Sequence, residues 1–443
     1  MIDIIRTDRV EEVKNEGLRK DIELYAGIYD NFMLELVQVG MSIANDEEDG
    51  VEETAKIKEE LRTLGVQERN NGKSWLWGEN ISPSCVECRT GDGSATYIIS
   101  LKCNRDCFFC TNKNQYDYTY HNDRVNDVKG QFNNTSKHYA EMKSAALTGG
   151  EPLLFMDECI SFIKHVKKRN KKTQTRIYTN GDLASEENLK RLADAGLDEI
   201  RFGLKPDEDG TVPEALYKNL ENAVKYIPRA MVEMPAEKGK LEEMKAIFDR
   251  LESIGIFGIN ILEFLFPWVH VKEYVAKGHK VKKYPYTILY DYDYAGGVSV
   301  AGSELECLQL VKYAAEKKFK MGVHYCSLEN KLTAQVWHHN KRVDLSDYEY
   351  LSPNDFYIKT AKAYGDDAHK VKETLDEAGR GRYMYNKSDA KIEFSVKDIE
   401  LLKGKNIDIG ISSMILDRDE KQTFIREVAV HKANSDNFSL DDI

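Results

Sequence analysis

Eight cysteines are the residues of this chain best suited to metal or redox chemistry, and five of them lie within 26 residues of one another. The eight are Cys85, Cys88, Cys103, Cys107, Cys110, Cys159, Cys307 and Cys326. In LKCNRDCFFC, three and two residues separate Cys103, Cys107 and Cys110. Three thiolates on one short loop can bind three irons of a four-iron, four-sulfur cluster. The fourth iron then stays open to a small molecule, to which it can pass an electron.

A structural zinc site is the competing arrangement for these thiols. Cys85-x2-Cys88 and Cys107-x2-Cys110 stand 18 residues apart, which fits a four-thiolate zinc pattern. That arrangement leaves Cys103 unused and places the zinc across the first predicted strand. We therefore favour an iron–sulfur cluster on Cys103, Cys107 and Cys110, with zinc as the alternative.

The cysteine loop follows the first of six short apolar runs that are typical of buried strands, and amphipathic helical patterns separate the runs. Such alternation predicts a parallel sheet with helical crossovers. The runs are TYIISL (96–101), AALTGG (145–150), RIYTNG (176–181), EIRFGLK (199–205), AMVEMP (230–235) and FGINILEF (257–264). KMGVHY (320–325) is a further strand candidate that ends just before Cys326.

Six such units fit an α/β fold built on a partial (β/α)6 TIM-type barrel, with a helical N-terminal region and a mixed α/β C-terminal extension. In barrels of this type the chemistry lies at the carboxyl ends of the strands. We expect the boundaries 1–75 for the helical region, 76–95 for a cysteine-containing lead-in, 96–334 for the barrel with an insertion at 264–302, and 335–443 for the extension.

Two serines are predicted to begin barrel helices. Ser185 precedes a helix that Gly196 would close, and Ser303 with Glu306 predicts a capping box. Cys159 and Cys307 fall on the apolar stripes of predicted helices. We expect both cysteines to pack as small hydrophobic residues.

Composition narrows the possible partners of the chain. Its 443 residues carry 63 Lys and Arg against 75 Asp and Glu, a net charge of −12, which disfavours a nucleic-acid partner because such binding depends on cations at phosphates. No run approaches the roughly 18 apolar residues of a membrane helix. The first residues lack a secretory pattern, and we expect a cytoplasmic protein without a membrane partner.

The motifs together resemble the radical SAM superfamily. C-x3-C-x2-C at Cys103, Cys107 and Cys110, with Phe109 before the last cysteine, is similar to that family's signature. The sequence LTGGEPLL resembles its GGEP motif at a strand end, and TNG (179–181) resembles its next strand end. The resemblance covers about residues 94–265.

The resemblance implies a 4Fe-4S cluster and S-adenosyl-L-methionine (SAM) as cofactors, with the cluster ligands as the catalytic centre. It implies that Glu151 would meet the SAM ammonium and that Phe109 would pack near the adenine. Asn180, Lys205 and Glu233 match more loosely and could contact the SAM carboxylate or the ribose. For these three residues a structural hydrogen bond is the alternative. The SAM residues implied are Phe109, Gly149, Gly150, Glu151, Asn180, Lys205 and Glu233.

The same resemblance implies reductive cleavage of SAM to methionine and a 5′-deoxyadenosyl radical, which removes a hydrogen atom from a substrate. We expect an amino-acid, peptide or other small-molecule substrate and an electron donor such as flavodoxin or ferredoxin. The alternatives are an activase of a glycyl-radical enzyme, a sulfur-inserting enzyme and a non-catalytic zinc or iron–sulfur scaffold.

Cys85, Cys88 and Cys326 are left over from this assignment. The first two form a two-ligand clamp in a turn-rich segment, and Cys326 directly follows a predicted strand, on the side of the expected chemistry. We expect the three to hold an auxiliary iron–sulfur cluster, with a fourth ligand from elsewhere or an open iron. Unliganded thiols or a small zinc site are the alternatives.

Overall fold

The computed structural model describes residues 2–115, 117–206, 210–286, 297–419 and 422–443. It divides into two units. The barrel unit holds the described residues of 39–287 and 293–331, and the C-terminal sheet unit holds those of 2–38 and 332–443. Residues 287–296, within the predicted insertion 264–302, lie outside the described part of the chain.

Seven parallel strands lie side by side in the barrel unit, in the order in which they occur in the chain. They are β1 (Ser94–Ser100), β2 (Ser144–Gly149), β3 (Gln174–Thr179), β4 (Glu199–Phe202), β5 (Arg229–Ala236), β6 (Gly258–Glu263) and β7 (Gly322–Cys326). Strands β1 to β6 match the six predicted runs, and β7 matches the further candidate KMGVHY. The α/β fold class is therefore confirmed, with a seventh parallel strand added.

Two antiparallel strands extend this sheet beyond β7. Ser74–Trp77 pairs with β7, and Gln67–Arg69 pairs with Ser74–Trp77. Among the described strands, no hydrogen-bonded pair joins β1 to Gln67–Arg69 at the two ends of the sheet. The barrel is therefore partial.

The strands of the sheet are buried because helices cover them. Residues of β2, β3 and β4 are almost all buried, as parallel strands covered on both faces require. Each successive pair of parallel strands is connected by a helix. These helices are Val128–Ser136, Met156–Arg169, Glu186–Ala195, Glu214–Tyr226, Leu241–Ile254 and Ser303–Lys317. Cys159 and Cys307 are fully buried in this core, as expected for packing residues.

One of the two predicted helix starts is confirmed and one is wrong. Ser185 accepts a hydrogen bond from Asn188 N, and Gly196 closes the helix in the left-handed conformation. The second helix has Gly302 at its N-cap and no side-chain cap. The Ser303 hydroxyl instead donates to Ala236 O at 2.8 Å and accepts from Phe264 N at 2.7 Å. These tertiary partners outcompete the local cap.

Shorter elements complete the barrel unit. Its other helices are Asp46–Asp49, Val51–Thr63, Pro83–Glu87, Tyr118–Asn122 and Val271–Ala276, and Leu328–Asn340 begins there. Two 3-10 turns, Thr111–Asn114 and Pro152–Phe155, follow the cysteine loop and β2. Leu265–Phe266 and Val298–Ser299 form a two-stranded ribbon.

The C-terminal sheet unit has an antiparallel sheet of its own. Its strands are Ile2–Asp3, Tyr350–Leu351, Ile358–Tyr364, Tyr383–Asn386, Lys391–Phe394, Asp408–Arg418 and Thr423–Asn434. The helices of this unit are Glu16–Gln38 and Asp366–Glu377, with 3-10 turns Thr7–Glu12, Val396–Leu402 and Leu440–Asp442. Among the described helices of the chain, none is both long and apolar enough to cross a membrane.

Candidate functional site

A cavity of about 230 Å³ lies at the carboxyl ends of the parallel strands. The cysteine loop after β1 forms one wall, and residues at the carboxyl ends of β2 to β6 form the others. Nine residues predicted from the sequence line this cavity: Cys103, Cys107, Cys110, Phe109, Gly149, Gly150, Asn180, Lys205 and Glu233. We call it the cluster cavity.

Two glycines bring the end of β2 against the backbone that precedes the cysteine loop. Gly149 has φ +134°, and a Cβ on it would lie 2.0 Å from Ser100 O. A Cβ on Gly150 would lie 2.1 Å from Lys102 O. Gly150 N donates to Ser100 O at 2.9 Å, and Glu151 N donates to Lys102 O at 2.8 Å. Only glycine allows this approach, which sets the position of Cys103.

Glu151 is fully buried and is not among the residues that line the cluster cavity. Its carboxylate accepts hydrogen bonds from Leu153 N at 2.9 Å, Thr179 Oγ1 at 2.8 Å and Asn180 N at 2.7 Å. Burial raises the pKa of this carboxyl group, and the three donors partly offset that effect. Glu151 therefore ties the end of β3 to the turn after β2.

A polar network that the sequence did not reveal holds the cysteine loop in place. Asn180 Nδ2 donates to Asn104 Oδ1 at 2.7 Å, and Asn104 Nδ2 donates to Asp182 Oδ2 at 2.9 Å. Arg105 Nε donates to the same Asp182 oxygen at 2.8 Å. The hydrogen bonds from Arg105 hold the pKa of Asp182 below its ordinary value. Residues from 76 to 78 positions apart in the sequence thus hold the loop against the end of β3.

Aromatic rings and one cation complete the wall. Phe109 stacks edge to face on Phe108 and Phe264, with ring centroids 5.2 and 5.8 Å apart. Lys205 Nζ lies 5.8 Å from the centre of the Phe109 ring. An ammonium over the face of a ring is a favourable arrangement, and it leaves a positive charge beside the thiols of Cys107 and Cys110 in the same cavity.

A second cavity of about 450 Å³ adjoins the cluster cavity, and we call it the side cavity. The two share the wall residues Cys107, Phe109, Leu204, Lys205 and Pro235. The rest of the side cavity combines an apolar surface with charges of both signs. Its apolar residues include Phe108, Met234, Met244 and Phe264, and its charged residues include Lys240, Lys277, Glu237, Glu243 and Glu273.

Beneath the cluster cavity, a buried ionic group occupies the inside of the barrel. Arg201 Nε donates to Glu199 Oε1 at 2.7 Å, and Arg201 Nη1 donates to Glu233 Oε2 at 2.6 Å. Arg201 Nη2 donates to Cys85 Sγ at 3.1 Å. Burial by itself would raise the pKa of Glu233, but the charge of Arg201 holds it below its ordinary value. Glu233 therefore remains a carboxylate at the edge of the cluster cavity.

Six of the eight thiols fall into two sets of three. Cys110 interacts electrostatically with Cys103 and Cys107, whereas Cys326 interacts with Cys85 and Cys88. Burial raises the pKa of Cys88, of Cys110 and of Cys326. The zinc alternative would instead combine Cys85 and Cys88 with Cys107 and Cys110.

The loop thiols fit a three-ligand iron–sulfur cluster. In the described part of the chain, no three His, Cys, Asp or Glu side chains converge on the position of a single metal ion. The cysteines of a four-iron cluster bind different irons, so they need to share one cavity but not one point. Cys103, Cys107 and Cys110 meet that condition.

Comparison with known proteins connects this site to a family. The family model of the Radical SAM superfamily matches residues 97–251. A protein of Methanocaldococcus jannaschii, described as a candidate glycyl-radical enzyme activating enzyme, is 26% identical over 350 residues, which are 76% of this chain and 89% of that protein. The GTP 3′,8-cyclase of Clostridium perfringens is 33% identical over 143 residues, which are 29% of this chain and 43% of that enzyme.

Among solved structures, Streptococcus suis SuiB bound to the precursor peptide SuiA is similar with a TM-score of 0.39 and 14% identity. The match covers 72% of this chain and 67% of SuiB. The matched range 97–251 includes the cysteine loop, the GGEP turn and strands β2 to β5. The chain therefore carries a radical SAM superfamily domain at residues 97–251, and the protein is a radical SAM enzyme that uses a 4Fe-4S cluster and SAM.

Proposed function

We propose that the protein removes a hydrogen atom from a peptide or protein substrate that binds in the side cavity. Cys103, Cys107 and Cys110 are the proposed ligands of the cluster. The remaining predicted residues of the cluster cavity are the proposed surroundings of SAM. When bound together, these cofactors supply a 5′-deoxyadenosyl radical through one-electron cleavage of SAM, and we propose flavodoxin or ferredoxin as the electron source.

The charges of the cluster cavity suit the two ends of a SAM molecule. Lys205 supplies an ammonium for the SAM carboxylate. Glu233, which Arg201 holds as a carboxylate, supplies an acceptor for an ammonium or a ribose hydroxyl. Asn180 presents an amide 3.9 Å from Cys103 Sγ. Glu151 acts in this proposal by positioning Asn180, since its oxygens accept bonds from Asn180 N and its neighbours.

The shared wall of the two cavities is the observation that carries the proposal. A molecule in the side cavity would lie directly beside Cys107, Phe109 and Lys205. A reactive radical formed in the cluster cavity would therefore be next to that molecule.

The lining of the side cavity favours a peptide. Lys277 Nζ lies 5.2 Å from the centre of the Phe108 ring and 3.4 Å from Glu237 Oε1. Paired charges around an apolar floor can bind the amide and charged groups of a peptide while a side chain enters the apolar part. The relative from M. jannaschii is described as an activating enzyme, and an activase takes hydrogen from a peptide glycine. Activation of a glycyl-radical enzyme is therefore the second candidate function.

Transfer of deuterium to 5′-deoxyadenosine tests the substrate class. The reconstituted enzyme is incubated anaerobically with SAM, reductant and either perdeuterated protein extract, whole and digested, or perdeuterated free amino acids. We expect deuterium in 5′-deoxyadenosine with the protein or peptide probes. Deuterium from the free amino acids alone, or from none of the probes while SAM is still cleaved, would refute the peptide proposal.

Matched variants test the location of the substrate. Lys240→Met with Glu243→Gln changes residues that line only the side cavity, and it should lower deuterium transfer about fivefold or more while SAM cleavage continues. Glu316→Gln, an exposed change on helix Ser303–Lys317, serves as the control and should transfer deuterium like the wild type. Equal deuterium transfer by both variants would show that the substrate does not bind in the side cavity.

A further inference from the structure

Three thiols outside the cluster cavity lie together inside the barrel. Cys85 is on the short helix Pro83–Glu87, and Cys88 is the residue that ends it. Cys326 is the last residue of β7 and is only 4% exposed. Hydrogen bonds join Cys85 through Arg201, Glu233 and Asn260 to His324. His324 precedes Cys326 by two residues and therefore lies on the same face of β7. The thiol of Cys326 also interacts electrostatically with those of Cys88 and Cys85, although 238 and 241 residues separate them in the chain. The fold therefore brings them into one group, which we call the second thiol set.

The short helix is anchored from within the barrel. Ser82 Oγ donates to Glu199 Oε2 at 2.6 Å. Arg201 Nη2 donates to Ser84 Oγ at 3.3 Å and to Cys85 Sγ at 3.1 Å. Buried charged side chains are costly to maintain, and here they hold a turn whose side chains include two cysteines. This arrangement fixes the thiols as a ligand site requires.

Two side chains donate hydrogen bonds to sulfur atoms of the second thiol set. Asn330 Nδ2 donates to Cys326 Sγ at 3.2 Å, and Arg201 donates to Cys85. Arg176 and Lys331 also interact with Cys88 from nearby. Hydrogen bonds of this kind stabilise a charged thiolate and tune an iron–sulfur cluster, whereas a neutral thiol gains little from them.

The charges around the second thiol set favour an anionic occupant. The cations Arg176, Arg201 and Lys331 carry a total charge of about +3, and the carboxylates Glu199 and Glu233 carry about −2. With neutral thiols the group retains about one positive charge in the barrel interior. Three thiolates around a 4Fe-4S core of charge +2 would add about −1. Such a cluster would neutralise the group, and each thiol would release its proton to solvent as its sulfur binds iron.

We propose that Cys85, Cys88 and Cys326 ligate a second 4Fe-4S cluster, distinct from the cluster on the loop thiols. The set supplies three cysteine ligands, which leaves one iron of the second cluster without a cysteine. A structural zinc ion takes four protein ligands, and the side chains that donate to these thiols are a guanidinium and an amide, which are not zinc ligands.

Iron analysis of full-length protein tests the second cluster apart from the first. The Cys103/Cys107/Cys110→Ala triple variant removes the proposed ligands of the first cluster. After anaerobic reconstitution it should retain about four irons and about four sulfides per chain, and it should give the electron paramagnetic resonance signal of a reduced 4Fe-4S cluster. Adding Cys85→Ser and Cys88→Ser to this variant should reduce iron to near zero.

Controls keep a failure to fold from deciding the result. Cys159→Ala in the triple variant removes a packing thiol from the barrel core and should retain about four irons. Circular dichroism of each variant establishes folding. Cys326→Ser, without the changes at Cys85 and Cys88, should also remove the iron of the second cluster. A folded triple variant with no iron, with about two irons, or with zinc in place of iron would overturn the proposal.

Discussion

Replacing Gly150 by Ala should damage the site through the backbone alone. A Cβ at this position would lie 2.1 Å from Lys102 O and 2.4 Å from Leu101 O, so the two segments would have to separate by about 1 Å to reach ordinary contact. That movement breaks the bonds from Gly150 N to Ser100 O, at 2.9 Å, and from Glu151 N to Lys102 O, at 2.8 Å. Two backbone bonds at about 1 kcal/mol each, with part of their groups left unpaired, give a loss of about 2–4 kcal/mol.

Urea unfolding of the apo-protein, followed by circular dichroism, measures this loss for the barrel unit. Gly203→Ala is the matched control, because its Cβ would meet Thr179 O at 3.7 Å and Glu233 O at 3.9 Å, which are ordinary contacts. The control should change the free energy of unfolding by less than about 0.5 kcal/mol. Gly150→Ala should also retain less iron. A Gly150→Ala protein as stable as the control would refute the close-approach argument.

Three further predictions concern single side chains. Lys205→Met removes the ammonium proposed to bind the SAM carboxylate and should raise the KM for SAM about tenfold with a smaller change in kcat; an unchanged KM would place the carboxylate elsewhere. Asp182→Asn removes the ionic partner of Arg105. Since a partly exposed ion pair contributes about 1 kcal/mol, the variant should lose iron to a chelator about fivefold faster. Iron loss at the wild-type rate would show that the network does not hold the loop. Burial lowers the pKa of His431 to about 4. As the pH falls, the unfolded chain therefore binds a proton at this histidine before the folded chain does. The free energy of unfolding of the C-terminal sheet unit should fall by roughly 1.4 kcal/mol between pH 7.5 and 5.5. His431→Gln should flatten that loss in thermal unfolding, and an equally steep profile in the variant would contradict the assignment.

Residues whose chemistry is local could be predicted from the sequence. The cysteine loop and the glycine pair could be recognised from their residue types and spacing. The short apolar runs predicted β1 to β7. The position of each run in the chain also predicted which residues follow strand ends. Lys205 and Glu233, which were matched only loosely, do line the cluster cavity beside the loop thiols.

Residues whose role depends on distant partners could not be predicted. Asp182 contacts Arg105 across 77 residues, and no local pattern marks that pair. Ser303 resembles a helix cap in sequence, but Ala236 O and Phe264 N take its hydroxyl group. Both cases depend on tertiary contacts that form only when the sheet is assembled.

One signal for the barrel interior was present in the sequence. The run EIRFGLK carries Glu199 and Arg201 two positions apart within an apolar strand, and AMVEMP carries Glu233. Side chains two residues apart point to the same face of a strand. Charges at such spacing in otherwise buried strands indicate an ionic group inside the barrel, which is where the structure places Arg201 between the two carboxylates.

The ligand assignment and the reaction are tested most directly by SAM cleavage in the loop-cysteine variant. Anaerobically reconstituted protein is given SAM and a strong reductant, and 5′-deoxyadenosine and methionine are quantified. The wild type should form both products in equal amounts. The Cys103/Cys107/Cys110→Ala variant, folded by circular dichroism, should form neither above the level of reductant alone. Equal product from the variant and the wild type would contradict the account.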